Sequence, residues 1–93
     1  MFVGLIRLKL LIPSSNSLKD RRQVVASIKG KLRSRFNLSI AEIESSNHWR
    51  EASFGIAMVN DSRSYLEGEL SSALRFIEEN YPVEILALEK EII

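Results

Sequence analysis

Seven cations crowd one seventeen-residue stretch of this 93-residue chain: Lys19, Arg21, Arg22, Lys29, Lys31, Arg33 and Arg35. Asp20 is the only acid among them. Helical side chains three or four apart are neighbours, and like charges at that spacing repel. Lys29 with Arg33, and Lys31 with Arg35, are such pairs, so the stretch gives up stability that binding an anion would recover. Cations on a rigid helix neutralise phosphates and release counterions. Lys19, Arg21, Arg22, Lys29 and Arg33 are therefore candidate nucleic-acid contacts, with Arg7, Lys9 and Arg50 as lesser ones. The competing reading is a solvated face whose long side chains cover the core edge and pair with Glu78, Glu79 or Glu84.

Other chemistry is sparse. There is no cysteine, which removes disulfides, thiolate nucleophiles and cysteine-based metal sites. One histidine, His48, makes no zinc site and has no evident nucleophile to serve. Glu42/Glu44 and Glu89/Glu91 have strand spacing that sets each pair on one face, where they could hold a hard cation or do acid–base work. Charged edge strands that resist aggregation are the commoner use of that pattern. The four glycines are isolated, so no phosphate-cradling loop exists. The N-terminus of the first helix, near Ser17, could hold a small anion. Trp49 is either a stacking side chain or a plug over one end of the sheet. No cofactor, metal or catalytic constellation is expected, and the chain reads as a non-enzyme.

Positioning these groups requires a scaffold, and the hydrophobic periodicity supplies one. Residues 2–12 alternate with period two. The even positions Phe2, Gly4, Ile6, Leu8, Leu10 and Ile12 are all non-polar, while Arg7 and Lys9 lie on the odd face. Pro13 to Ser17 is turn chemistry. Ser17 caps a helix running to about Phe36, with Leu18, Val25, Ile28, Leu32 and Phe36 in one arc and Gly30 opposite. That wheel puts Lys19, Arg22, Lys29 and Arg33 on one flank, and Arg21, Lys31 and Arg35 on the other. A short strand over 38–45, a loop over 46–51 holding His48 and Trp49, and a strand over 52–60 follow. Asp61, Ser62 or Ser64 caps a second helix to about Asn80, which Pro82 ends. A strand over 83–92 closes the chain.

The order βαββαβ predicts one α+β domain over residues 1–93. It is a ferredoxin-like sandwich of a four-stranded antiparallel sheet with two helices on one face. The other face, bearing Val3, Leu5 and Leu11, is left open, and burial against a partner or a second copy is the alternative function it suggests. Phe54-Gly-Ile56 only partly resembles the aromatic core of RNA-stacking sheets, and Phe54 reads as core. Charge is split along the chain. Residues 1–36 hold nine Lys/Arg and one acid, a net of +8, and the remainder holds four and eleven, a net of −7. Such asymmetry suggests an anionic partner or self-association. No run reaches a membrane span and no signal peptide opens the chain, which points to the cytoplasm.

Ser17-Leu18-Lys19-Asp20-Arg21-Arg22 resembles the "SLKEKR" segment of the YlxP-like bacterial proteins, with Asp20 and Arg21 in place of the usual Glu and Lys. Arg33-Ser-Arg-Phe-Asn37, Ala41-Glu42, Trp49, the Gly55-containing strand and the ending Glu91-Ile-Ile are also similar. The resemblance spans essentially the whole chain. It implies a ferredoxin-like fold, a bacterial cytoplasmic protein and a role touching RNA or the ribosome, because genes of that family often lie beside those of translation factors. It implies no catalytic residues.

Overall fold

Strand β1, Phe2–Leu11, sits where the alternating pattern demands. Ile6, Leu8 and Leu10 are buried on one face, while Arg7 and Lys9 are exposed on the other. In this computed structural model residues 1–44 and 48–93 are described. The remaining elements are α1 (Leu18–Arg35), β2 (Ser39–Ile43), β3 (Glu51–Asn60), α2 (Arg63–Asn80) and β4 (Glu84–Ile92). The sheet order is β2-β3-β1-β4, and every pairing is antiparallel. This is the expected ferredoxin-like βαββαβ architecture, with the central strands β1 and β3 from opposite halves of the chain.

Element ends follow local chemistry. Ser17 caps α1 by accepting from the Asp20 backbone N–H at 3.1 Å. Asp20 Oδ2 in turn accepts from the N–H of Asn16, the residue before the cap, at 3.0 Å, so the contact is reciprocal. Of the three candidate caps for α2, Ser62 does the work, accepting from the Tyr65 N–H at 3.2 Å. β2 is shorter than its hydrophobic run predicted. Glu44 has φ 52° and turns the chain out of the strand. Ser45, the expected end of that strand, and Ser46 and Asn47 of the expected loop lie outside the described residues.

The core lies between the helices and the even-numbered face of β1. Phe54 is fully buried there, directly across from Leu8, so it offers no ring for base stacking. Phe36 meets Phe76 edge to face at 6.4 Å, joining the end of α1 to α2. α2 settles onto β1 at Gly4, where an added Cβ would come within 2.9 Å of Leu70 Cδ1 and 3.1 Å of Leu66 Cγ. Both leucines are buried and have nowhere to retreat. Gly30, on the outer face of α1, has nothing within 4 Å. β4 is the less protected edge: a register shift between Lys9 and Leu10 leaves Leu86 unmatched, and Leu86 and Leu88 are both nearly half exposed.

These two glycines should respond oppositely to enlargement. Gly4→Val is expected to cost roughly 1–3 kcal/mol through overpacking. Gly30→Ala is expected to stabilise by about 0.5–1 kcal/mol. Urea denaturation of the two variants beside the parent chain measures both, and equal effects would contradict the close approach at Gly4.

Candidate nucleic-acid interface

The eight candidate cations do not form one surface. Arg21 points inward, only 6% exposed, on the same arc of α1 as Val25, Ile28 and Leu32 rather than on the flank the wheel assigned it. Its Nη2 donates to Glu42 Oε2 and its Nε donates to the Glu51 carbonyl at 2.7 Å. The guanidinium thus bolts α1 to β2 and to the first residue of β3. A buried arginine with its Nε and Nη2 committed has little left to offer a phosphate.

Arg50 is committed too. Its Nε donates to the Ser15 carbonyl at 3.0 Å and its Nη2 to Asn16 Oδ1 at 3.4 Å. Ser15 is buried and its hydroxyl donates back to the Trp49 carbonyl. The Arg50 carbonyl accepts from the Ile12 N–H at 2.6 Å. The β1–α1 and β2–β3 loops are therefore stitched together at one end of the sheet. Within that stitch the Trp49 backbone is held while its ring stays half exposed, and His48 Nδ1 lies 3.7 Å from Glu51 Oε2.

Arg7 and Lys9 lie on the open sheet face, on the far side of the sheet from the helices. Arg7 pairs with Glu44 at 3.1 Å and Lys9 with Glu51 at 3.4 Å. On the inner flank of α1, Lys31 lies over the Tyr81 ring at 5.6 Å and Arg35 over the Phe76 ring at 4.6 Å. Those contacts, together with the hydrogen bond between Ser27 Oγ and Tyr81 Oη at 2.8 Å, turn that flank toward α2.

What remains is the outer flank of α1. Lys19, Arg22 and Lys29 form no ion pair among the described residues, and the expected pairing with Glu78, Glu79 or Glu84 does not occur there. Arg33 continues the row and donates to the Ile40 carbonyl at 2.9 Å, at the β2 edge. The row runs about 21 Å along the helix at 1.5 Å per residue. Its cations are separated from every acid of α1, since Asp20 faces the Asn16 backbone.

Glu42 and Glu44 each serve an arginine, and no three metal-ligating side chains converge among the described residues. The role of Arg21 was readable only in part. The sequence showed a cation near the apolar arc, but the wheel reading placed it on a flank, and its partners lie 21 and 30 residues away. Removing Arg21 leaves Glu42 partly buried without its partner. Arg21→Ala is expected to lower stability by about 2–4 kcal/mol, whereas Arg22→Ala stays within about 0.5 kcal/mol. Thermal unfolding of both variants checks this, and comparable losses would overturn the division between structural and free cations.

Comparison with known proteins bears on the fold and the family. Two designed proteins share the fold over 99% of this chain. One is a de novo designed protein with a ferredoxin fold, LFR1 1, with TM-score 0.52, 12% identity and 85% of its length covered. The other is the de novo designed protein Foldit4, with TM-score 0.51, 16% identity and 94% covered. "Uncharacterized protein YlxP" of Bacillus subtilis (strain 168) is 38% identical over 76 residues, which is 82% of this chain and 83% of that protein. Residues 3–90 match the family described as "Protein of unknown function (DUF503)". Two of the segments that carried the resemblance, Ser17–Arg22 and Ala41-Glu42, are joined in space by the Arg21–Glu42 pair. The chain belongs to the DUF503 family of proteins of unknown function, the YlxP-like proteins.

Proposed function

We propose that this protein is a non-enzymatic RNA-binding module that lays the outer flank of α1 along a phosphate backbone. One observation carries the reading. Lys19, Arg22 and Lys29 stand in a row with no acid to neutralise them, while the other candidate cations are spent on carboxylates, carbonyls or rings. A row of like charges with no acid beside it gives up stability that an anion from outside the chain would restore. Arg33 extends the row at the β2 edge. Arg7 and Lys9 act elsewhere, and Arg21 and Arg50 hold the helix and loops that present the row. RNA, at or near the ribosome in the cytoplasm, is the polyanion that the YlxP-like resemblance favours. No described helix is long and apolar enough to cross a membrane.

A separate observation favours a second reading, a module that self-associates through its open sheet face. That face carries Val3, Leu5, Ile43, Ala57 and Val59, an apolar surface on which no helix packs among the described residues. The two readings use opposite layers of the molecule and do not compete.

The test of the first is binding to a structured RNA and to ribosomal subunits across a salt series. Each phosphate neutralised contributes about −0.7 to −0.9 to the slope of log affinity against log salt. Arg22→Glu combined with Lys29→Glu is expected to weaken binding and flatten that slope by about 2. Unchanged affinity and slope would remove α1 from the interface.

A further inference from the structure

The open face has relief. Along β1 it carries Leu5, Arg7 and Lys9, and directly beside them on β3 lie Ala57, Gly55 and Ser53. β2 continues the low ground with Ser39 and Ala41. A ridge of long side chains therefore borders low ground on two strands, a valley closed at one end by Ile43. A shallow depression of about 580 Å³ runs over this ground and past Leu5 and Arg7 to Glu89 and Glu91 of β4. The ridge is not bare charge, since Arg7 and Lys9 arrive paired with Glu44 and Glu51.

The face also has a charge gradient across the strands. On β4, Glu91 and Glu89 lie beside Leu5 and Arg7, and neither forms an ion pair among the described residues. At the opposite edge β2 is bordered by the basic flank of α1, with Arg33 reaching the Ile40 carbonyl.

Two in-plane two-fold axes can stack this face on a second copy. An axis perpendicular to the strands sets β1 on β1 and β4 on β4, so ridge meets ridge and acid meets acid. An axis parallel to the strands sets β1 over the second copy's β3, and β4 over its β2. Ridge then meets valley, and the acidic edge meets the edge bordered by cations. We infer that two copies stack open face to open face about a two-fold axis parallel to the strands, a pairing that rests on the self-associating reading of this face.

The area is adequate. About nine residues along each of β1, β3 and β4, with the five of β2, cover roughly 500 Å² at ~3.3 Å per residue and ~4.8 Å per strand. The flat footprint of the pair is then about 1,000 Å², at the level that marks a specific interface. The chain's net charge of only +1 adds little long-range repulsion between copies.

The native chain has no cysteine, so introduced thiols report the orientation without background. Ala41 on β2 and Glu89 on β4 are exposed and share one cross-strand row with Gly55 and Arg7. Ala41→Cys and Glu89→Cys chains are mixed and treated with a short bis-maleimide, and each is also treated alone. Sedimentation is followed across the micromolar range. The expected result is a dimer, with cross-linking in the mixture and none in either variant alone. Glu89→Cys linking to itself overturns the orientation while keeping self-association. A chain that sediments as a monomer throughout overturns both and leaves the face to another partner. Gly55→Arg fills the valley, where an added Cβ meets only Ile43 Cγ2 at 3.3 Å and Cδ1 at 3.9 Å. It is expected to raise the dissociation constant at least about tenfold with the thermal transition retained. An unchanged constant in a folded variant also overturns the stack.

Discussion

Arg21 brings a full positive charge into the layer between α1 and the sheet. Such burial is tolerated only when geometry and hydrogen bonding answer it. Here the Glu42 carboxylate and the Glu51 carbonyl do so, from the two strands that α1 covers. The bond fixes more than position. Rotation of α1 about its axis is set once residue 21 faces inward, and the same rotation decides which cations face out. Lys19, Arg22, Lys29 and Arg33 form an outer row because Arg21, Val25, Ile28 and Leu32 form the inner one. The exposed chemistry of this protein is thus a consequence of one buried ion pair.

Strands, helices, their order and the sheet's open side could all be read from periodicity and caps. The alternation of β1 decided the two faces, because a one-residue shift would have buried Arg7 and Lys9. Less could be read about the site. The wheel located the cations but not their partners, and partners are what separate Arg21 and Arg50 from Lys19 and Arg22. Pairings such as Arg21 with Glu42 or Arg50 with Ser15 span long stretches of chain that only the fold brings together. Small residues were equally mute in isolation. Ala41, Gly55 and Ala57 became a valley only when strand register set them side by side next to Leu5 and Arg7. Among the candidate caps of α2, Ser64 lost to Ser62, which begins the helix two residues earlier.

The helices and the open face are separated by the sheet, so each can engage a partner without obstructing the other. In a stacked pair the two α1 helices lie on the outer surfaces and at opposite lateral edges. Their basic rows face away from the buried interface. An assembly of that form would present two basic strips rather than one, and a polyanion long enough to reach both would gain from engaging them together.

The stitch between the two loops has a kinetic consequence. Ser15, Trp49 and Arg50 close a ring of hydrogen bonds between segments 34 or 35 residues apart, and the Ile12 N–H belongs to the same ring through the Arg50 carbonyl. Neither loop can swing away while the other stays, because each holds the other's carbonyls. The start of α1 and the entry to β3 therefore open as one cooperative unit. Their amide protons would exchange with solvent through a single shared opening, with one common opening free energy, although the chain that carries them is broken into two distant stretches.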